Sequence, residues 1–212
     1  MYPISATFLI KSPGTSFSDD IFLFLCRSAS PEFLRRAARE KNAFSAALYD
    51  ERSGEVIGYD DGGNEIERYR SAVSSKEDDS SSHLFSTFLA GDCLCGISGG
   101  EDLLIPEHSR VLALSSVEVL CCFPSEDSFI KYPLREVARV RAIENQFFVL
   151  LVPPCGEEIL CWEPTGAPAS VFEGSGGERL FILKRGDIVR LRKKVPLLFL
   201  RKKQFRDALA VL

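Results

Sequence analysis

The sequence has few histidines and no long uninterrupted apolar segment. Its 212 residues include two histidines, one tryptophan and one methionine. No uninterrupted apolar run approaches the roughly 20 residues that cross a bilayer. Residues 1–25 also lack the basic start, the apolar stretch and the small-residue cleavage site of a secretory signal. The sequence therefore predicts a cytoplasmic protein that does not bind membranes.

Charge and cysteine usage narrow the class of protein further. The formal net charge is −4, so we expect no general attraction to nucleic acid or to anionic lipid. The seven cysteines are an odd number, and without a secretory signal they are interpreted as reduced thiols. Their spacing matches no zinc pattern, and neither His83 nor His108 has a paired ligand nearby. We expect no metal and no other cofactor.

Apolar runs and amphipathic segments alternate along the first part of the chain. Residues 21–26 form a continuous apolar run, which is typical of a strand covered on both faces. Ser30 and Pro31 then begin a helix, as its cap and its first residue. Strands at 55–59 and 65–70 flank an Asp-Asp-Gly-Gly-Asn turn, which indicates a hairpin.

The alternation continues to the end of the chain. Residues 133–146 are predicted to form a helix that begins at a proline. A further helix is predicted at 107–115, and further strands at 43–49, 84–89, 92–97, 117–123, 147–152, 158–162 and 179–183. The Ser-rich segment 71–83 is predicted to be a mobile surface loop and not a linker, because neither flank is self-sufficient as a folding unit. The predicted fold class is α/β, in one domain over residues 1–212.

Four segments together carry a pattern that occurs in one known family. They are Gly91-x-x-Leu94-Cys95 in a strand, RVRAIENQ at 139–146 running into an apolar strand, the turn Glu163-Pro164-Thr165-Gly166, and the basic segment 192–196 with Arg201, Lys202 and Phe205 beyond it. In this order and at these distances they resemble the nitrilase superfamily of carbon–nitrogen hydrolases. The resemblance covers residues 84–207 well and residues 20–71 more loosely.

This resemblance implies a fold, an assembly and a chemistry. Members of the family are four-layer α-β-β-α sandwiches that usually pair into homodimers through their helices. The N-terminal region is shorter here, which implies a sandwich that is truncated or degenerate at its N-terminus. The family's chemistry uses a Cys nucleophile, a Glu base that takes the thiol proton, and a Lys that stabilises the oxyanion. The three residues come from separate strands.

The motif match assigns the nucleophile position to Cys95. The resemblance implies that this thiol stands at the end of a strand, immediately before Gly96, and faces a pocket. The family continues with Tyr-Asp-x-x-Phe-Pro-Glu, whereas Pro106-Glu107 lies further along this chain. The assignment therefore implies an inserted segment after Cys95 and the loss of the Tyr-Asp pair.

The positions of the family's Lys and Glu are not filled by those residues. The family's Tyr-Arg-Lys strand end matches Tyr69-Arg70-Ser71, so the resemblance puts Ser71 at the Lys position, with Arg70 and Lys76 as alternative cations. The family's Asp-Leu-x-x-Phe-Pro-Glu segment matches residues 20–26, so it puts Cys26 at the base position. Glu32 is the nearest alternative base.

Two other features are interpreted as structural. Arg141 and Glu144 are expected to form a helix-surface pair that holds the domain together. The basic stretch from Lys184 to Arg206 is expected to be an ordered strand and turn, and not a nucleic-acid or membrane site, because apolar residues are interleaved with its charges.

Two functions remain open on the sequence. In the first, the protein is a pseudoenzyme, a nitrilase-like scaffold that binds a ligand or partner without turnover. In the second, it is an active amidase whose Cys95 attacks a small amide and forms a thioester that water hydrolyses. Loss of one oxyanion donor lowers the rate by about 10²–10³, and loss of the base adds a comparable penalty. We therefore expect impaired or lost amidase activity, a homodimer, and a small amide or other ligand only if the pocket is open.

Overall fold

The computed structural model describes residues 5–11, 21–27, 30–50, 55–71, 85–154, 157–173 and 179–199. Its strands are β1 (Ser5–Lys11), β2 (Ile21–Arg27), β3 (Phe44–Asp50), β4 (Glu55–Tyr59), β5 (Glu65–Arg70), β6 (Ser86–Ala90), β7 (Cys93–Gly100), β8 (Val119–Pro124), β9 (Phe148–Leu151), β10 (Leu160–Trp162), β11 (Val171–Glu173) and β12 (Arg179–Lys184). Its helices are α1 (Pro31–Lys41), α2 (Pro106–Leu114), α3 (Glu126–Lys131), α4 (Leu134–Asn145) and α5 (Arg185–Lys194). Short 3₁₀ turns lie at Asp102–Leu104 and Leu197–Phe199. Apart from its first residue, the loop predicted at 71–83 lies outside the described residues.

Seven strands form one sheet, here called sheet A, in the order β11-β12-β1-β2-β3-β4-β5. β2 and β3 are parallel, and β4 and β5 form the predicted antiparallel hairpin, so β5 again runs in the direction of β2. Asp60 holds the hairpin turn by accepting hydrogen bonds from the backbone N–H of Asn64 at 2.7 Å and from its side-chain amide at 3.0 Å. The hairpin prediction is confirmed.

Five strands form the second sheet, sheet B, in the order β10-β9-β8-β7-β6. β7, β8 and β9 are parallel, so their carboxyl ends lie together at one edge of the sheet. β8 and β9 are buried along their whole length, which explains why their sequences are continuous apolar runs and not alternating ones. In sheets with parallel strands, ligands usually bind beyond the carboxyl ends.

Three hydrophobic clusters define the layers of the fold. One cluster lies between the sheets and includes Leu23 and Leu25 of β2 with Ile97 of β7. A second packs α2 and α4 on the outer face of sheet B, and a third packs α1 on the outer face of sheet A. Helix, sheet, sheet and helix therefore form an α-β-β-α sandwich, as predicted.

Several elements differ from the sequence prediction. β1, β11 and the helix α3 are not predicted. β11 and α3 are short, and β1 lies between β2 and β12, the second of which is distant in the chain. β7 continues to Gly100, beyond the predicted end at residue 97. Residues 185–194 form the helix α5 and not a strand. Ile188 is the buried apolar residue of α5, and one buried apolar residue per helix is too weak a pattern to be recognised in a basic segment.

Candidate functional site

The carboxyl ends of strands from both sheets meet at one end of the sandwich. Arg27, at the end of β2, donates from Nη1 to the carbonyl oxygens of Pro124 at 2.8 Å and of Val152 at 3.2 Å. Pro124 ends β8 and lies opposite Gly100 in the ladder with β7, and Val152 follows β9. Just after β7, Asp102 accepts hydrogen bonds from residues at the end of β5. Side chains from the ends of separate strands come together here.

Cys95 does not lie at this end of the sandwich. β7 continues past Cys95 to Gly100, so the thiol stands in the middle of the strand. The side chain is completely buried in the cluster between the sheets, and its Sγ lies 3.9 Å from the carbonyl oxygen of Cys93. The prediction of a strand end with an exposed thiol is wrong, because the small residues 98–100 remain paired with β8.

The surroundings of Cys95 keep its thiol protonated. Hydrogen bonding with Cys93 lowers the pKa of Cys95, but burial and the neighbouring Cys121 and Glu118 raise it, and the balance is a raised pKa. The thiolate, not the thiol, is the attacking species in covalent catalysis. The other described cysteines are likewise free and buried, and Cys155 lies outside the described residues.

A buried carboxylate organises the polar residues at the strand ends. Asp102 accepts hydrogen bonds at Oδ2 from the Tyr69 hydroxyl at 2.6 Å and from the Gly99 backbone N–H at 3.2 Å, and at Oδ1 from Ser71 Oγ at 2.9 Å. Asp102, Tyr69 and Ser71 are all buried. A carboxylate removed from water is tolerated when hydrogen bonds of this kind replace its hydration. The network therefore ties the turn after β7 to the end of β5.

His108 extends the network from the first turn of α2. Its Nε2 lies 3.2 Å from the Tyr69 hydroxyl oxygen, and its ring stacks on Phe85 with the centroids 5.4 Å apart. Burial lowers the pKa of His108, and the negative charge of Asp102 opposes part of that shift. The imidazole is therefore neutral at neutral pH.

The residue that points from β2 into this region is Arg27 and not Cys26. Side chains alternate along a strand: Leu23 and Leu25 face the cluster between the sheets, whereas Phe24 and Cys26 face α1. Arg27 follows Leu25 by two residues and is 1% exposed. Cys26, which the resemblance puts at the base position, faces the outer layer, where burial raises its pKa to about 12. A guanidinium occupies the inner face instead.

The structure also locates the remaining candidates for the catalytic cation and base. Ser71 is held in the carboxylate network, and Arg70 is half-buried at the end of β5. Glu32 is exposed in the first turn of α1, where a hydrogen bond with its own backbone amide lowers its pKa. Lys76 lies outside the described residues.

Solved structures of known proteins share these layers. A carbon–nitrogen hydrolase from Helicobacter pylori G27 matches with a TM-score of 0.63 over 84% of this chain and 74% of that chain, at 14% identity. Nit3 of Saccharomyces cerevisiae, a member of branch 10 of the nitrilase superfamily, matches with a TM-score of 0.59 over 92% of this chain and 74% of that chain, at 18% identity. The C. elegans NitFhit protein matches with a TM-score of 0.59 over 83% of this chain and 50% of that chain, at 16% identity. This chain has the nitrilase-superfamily fold.

The likeness is one of fold and not of sequence. No family sequence model and no curated protein sequence matches the chain. Within the described ranges, no three His, Cys, Asp or Glu side chains are grouped so that they could hold a metal ion. Of the helices that the structure describes, none has the length and apolarity needed to cross a membrane.

The nitrilase nucleophile motif aligns with the end of β7 without the insertion that an alignment on Cys95 requires. The family's segment is Cys-Tyr-Asp-x-x-Phe-Pro-Glu, and Asp102 precedes Pro106-Glu107 by that same spacing. Gly100 then matches the nucleophile and Glu101 matches the Tyr. Gly100 is the last residue of β7 and has a positive φ of 51°. The residues that suggested an insertion after Cys95 are the second half of β7.

The RVRAIENQ segment supports the nitrilase framework from behind this region. Arg141 donates to the carbonyl oxygens of Leu103 and Leu104, both at 3.0 Å, and pairs with Glu144 at 2.9 Å. Gln146 donates from Nε2 to the carbonyl oxygen of Val195 at 2.6 Å. The predicted pairing of Arg141 with Glu144 is confirmed, but Arg141 is buried and not on the helix surface, and it additionally caps the 3₁₀ turn after β7.

The Glu-Pro-Thr-Gly turn packs on the same helix. Gly166 has a positive φ of 79°, and a Cβ added there would lie 2.5 Å from Cδ1 of Ile143. Arg139 donates from Nε to the carbonyl oxygen of Gly166 at 2.9 Å. The family-like turn therefore packs closely against α4. Only glycine fits at position 166, because any Cβ there would clash with Ile143.

Four residues that build the region are absent from the sequence-based candidates: Arg27, Tyr69, Asp102 and His108. The positions of two of them could have been predicted from the sequence. Counting back from Pro106-Glu107 places Asp102 at the family's Asp, and period-2 alternation from Leu25 places Arg27 on the inner face. A lone histidine in a helix offers no comparable signal.

Proposed function

We propose that this nitrilase-fold protein does not hydrolyse amides and acts as a non-catalytic scaffold. The observation that carries the proposal is the Arg27 guanidinium on the inner face of the β2 end, donating to the carbonyl oxygens of Pro124 and Val152. Arginine is permanently protonated in proteins and has no acceptor. A group of this kind cannot take the proton of a thiol, so it cannot replace a Glu base.

The other two positions support the same proposal. Gly100, at the end of β7, has no side chain with which to attack a carbonyl carbon. Ser71 is a neutral hydroxyl that already donates to Asp102, so it supplies no positive charge to an oxyanion. Loss of the oxyanion donor lowers the rate by about 10²–10³, and loss of the base lowers it by a comparable factor. Together with the missing nucleophile, these losses leave no route to a thioester at this end of the sandwich.

The alternative, an amidase that uses Cys95, has less support. Its thiol is completely buried in the middle of β7, and its pKa is raised. A substrate would have to enter the hydrophobic core between the two sheets to reach it. Cys95 is better interpreted as a small core residue, which is the usual environment of a free cysteine.

Amide hydrolysis and thiol labelling together test the proposal. Ammonia release from acetamide, propionamide and glutamine is measured for the wild type and for Cys95→Ser. In parallel, the folded protein is treated with iodoacetamide and labelling at each cysteine is read by peptide mass spectrometry. We expect no ammonia release above that of the Cys95→Ser variant, and labelling of Cys95 only after unfolding.

One result would restore the amidase hypothesis. Ammonia release by the wild type that disappears in Cys95→Ser, with rapid labelling of the folded protein at that residue, contradicts the proposal. A Cys155→Ser variant serves as the matched control, because it removes a different thiol and separates a Cys95 reaction from a reaction at another cysteine.

We further propose that the scaffold pairs with a second copy of itself through α2 and α4. Val111 and Leu114 on α2 and Val140 and Ile143 on α4 expose large apolar side chains, and the two helices pack against each other on the outer face of sheet B. A contiguous apolar helix surface is typical of a protein–protein interface.

Light scattering coupled to gel filtration tests this pairing. It should give a dimer for the wild type and a monomer for Leu114→Asp, whereas Val189→Asp on α5 should remain dimeric. A monomeric wild type at micromolar concentration contradicts pairing.

A reducing compartment such as the cytoplasm is also proposed. It is supported by the six described cysteines, which are all free thiols. Titration with a thiol reagent after denaturation, on protein isolated without reductant, should count all seven cysteines as free. A count reduced by two would indicate a disulfide and contradict this proposal.

A further inference from the structure

We propose that His108, Tyr69 and Asp102 form an acid-sensitive latch that holds residues 99–104 against the end of β5. Protonation of His108 opens the latch and uncovers the strand ends around Gly100 and Arg27. This inference goes beyond the proposed scaffold role, because it describes when the buried end of the sandwich becomes accessible.

The direction of the hydrogen bonds defines the closed state. The Tyr69 hydroxyl donates to Asp102 Oδ2 at 2.6 Å, so its oxygen can only accept from His108 Nε2 at 3.2 Å. Nε2 therefore carries the proton of the neutral ring, and Nδ1 is left with a lone pair. Among the described residues, Nδ1 has no hydrogen-bond partner.

Protonation conflicts with this arrangement. The added proton would sit on Nδ1, which would become a buried donor without an acceptor among the described groups. The ring is 4% exposed and stacks on Phe85, so the new charge would be formed against an apolar surface. Opening relieves both penalties because it brings the imidazolium into water.

Within the part of the chain that the structure describes, the charged groups near His108 come from three elements packed around it and from α2 itself. From β5 the ring meets Tyr69, and from the 3₁₀ turn after β7 it is influenced by the carboxylate of Asp102. On α4, Arg141 pairs with Glu144 and with the carbonyl oxygens of the 3₁₀ turn. On α2 itself, Glu107 and Arg110 flank the ring in sequence, and Glu107 is exposed.

The direction of the pKa shift agrees with an acid-opened latch. Burial lowers the pKa of His108 below its ordinary value of 6.5, and Asp102 only partly opposes the shift. A histidine whose pKa is lowered in the closed state favours that state fully above its ordinary pKa. This contribution is lost as the pH falls below that value, because the open state then binds the proton more strongly.

The Gly99 amide offers a local reporter of opening. Its N–H donates to the buried Asp102 Oδ2, and release from β5 exposes this bond to water, so the amide exchanges faster when the latch is open. Hydrogen exchange of this amide is followed by NMR between about pH 7.5 and about pH 5.5, as a protection factor corrected for the intrinsic pH dependence of exchange. The Leu120 amide in the centre of sheet B, followed in the same spectra, reports global unfolding.

Two glutamine variants separate the latch from other titrations. In the wild type, Gly99 protection should fall with pH by up to about tenfold per pH unit, the limit for uptake of one proton, while Leu120 stays protected. His83→Gln, which removes the other histidine of the chain, should behave like the wild type. His108→Gln cannot take the proton and should show no such pH dependence.

Opposite outcomes would overturn the latch. Gly99 protection that does not change with pH in the wild type, or that keeps its pH dependence in His108→Gln, contradicts it. If His108→Gln does not fold, the ring of His108 in the wild type is titrated directly by NMR. A midpoint at or above the ordinary histidine value, or one that does not coincide with the loss of Gly99 protection, also overturns the proposal.

Discussion

Arg27 and Pro124 are joined by a hydrogen bond of 2.8 Å from Nη1 to the carbonyl oxygen, across 97 positions of the chain. The bond links the end of β2 in sheet A to the end of β8 in sheet B. Carbonyl groups at the carboxyl ends of parallel strands need donors when they are buried, and one guanidinium supplies both Pro124 and Val152. The same contacts that stabilise the sandwich also place a guanidinium, and not a carboxylate, on the inner face at the end of β2.

A carboxylate at position 27 should destabilise the protein more than removal of the charge does. Arg27→Met leaves two buried carbonyl oxygens without this donor and should lower the free energy of unfolding by about 1–3 kcal/mol. Arg27→Glu adds an unpaired negative charge beside those oxygens and should lower it by about 3–5 kcal/mol. Urea denaturation of both variants measures the difference. Equal stabilities would mean that the region accepts a carboxylate, contrary to the proposed role of Arg27.

The hydrogen bonds to Asp102 should contribute to the free energy of unfolding as a coupled group and not independently. Tyr69→Phe and Ser71→Ala each remove one donor to a buried carboxylate, and each should lower the free energy of unfolding by about 1.5–3 kcal/mol. Because both donors serve one carboxylate, the double variant should deviate from additivity by at least about 0.5 kcal/mol.

Ser86→Ala is the matched control for these two variants. Ser86 is buried, and its hydroxyl has no partner among the described residues, so its removal should change stability by less than about 0.5 kcal/mol. An additive double variant would indicate that Tyr69 and Ser71 do not share the carboxylate in solution.

Gly166 should be the least replaceable residue of the Glu-Pro-Thr-Gly turn. Gly166→Ala places a Cβ 2.5 Å from Ile143 Cδ1 at a φ of +79°, and we expect a loss of about 2–4 kcal/mol in thermal or urea unfolding. Adding Ile143→Ala should relieve the clash but not the backbone strain, so part of the loss should remain. Gly62→Ala has negative φ and looser neighbours and should change stability by less than about 1 kcal/mol. A harmless Gly166→Ala would contradict the close packing on α4.

Buried thiols should make the protein sensitive to alkaline pH. Burial raises the pKa of Cys26 from 9.0 to about 12, so the folded state holds this proton in a range where the unfolded state releases it. Stability should therefore fall as pH rises from about 9 to about 12, by up to about 1.4 kcal/mol per pH unit for each such thiol. Urea unfolding in the presence of reductant at increasing pH should show a shallower decline for Cys26→Ala. Parallel curves for the variant and the wild type would mean that Cys26 is accessible to water.

Much of the framework can be predicted from local sequence. The α1 start at Ser30-Pro31, the β4–β5 hairpin and the α4 helix all follow from caps, turns and periodicity within a few residues. The candidate site is harder to predict, because its residues lie at strand ends. A shift of five positions along β7 leads from the buried Cys95 to the strand end at Gly100, and a shift of one position along β2 leads from the outward-facing Cys26 to the inward-facing Arg27.

The sequence alone determines the α/β order of elements and the resemblance to nitrilases, because both depend on short-range patterns that the chain carries wherever it folds. Only the tertiary structure decides that β7 stays paired to Gly100, that Arg27 faces inward and that Asp102 gathers Tyr69, Ser71 and Gly99. Those outcomes depend on the pairing of β7 with β8, on the hydrogen bonds that Arg27 donates to Pro124 and Val152, and on those that Tyr69 and Ser71 donate to Asp102 in the 3₁₀ turn. The length and the inner face of a strand are set by its partners, which lie far away in the chain.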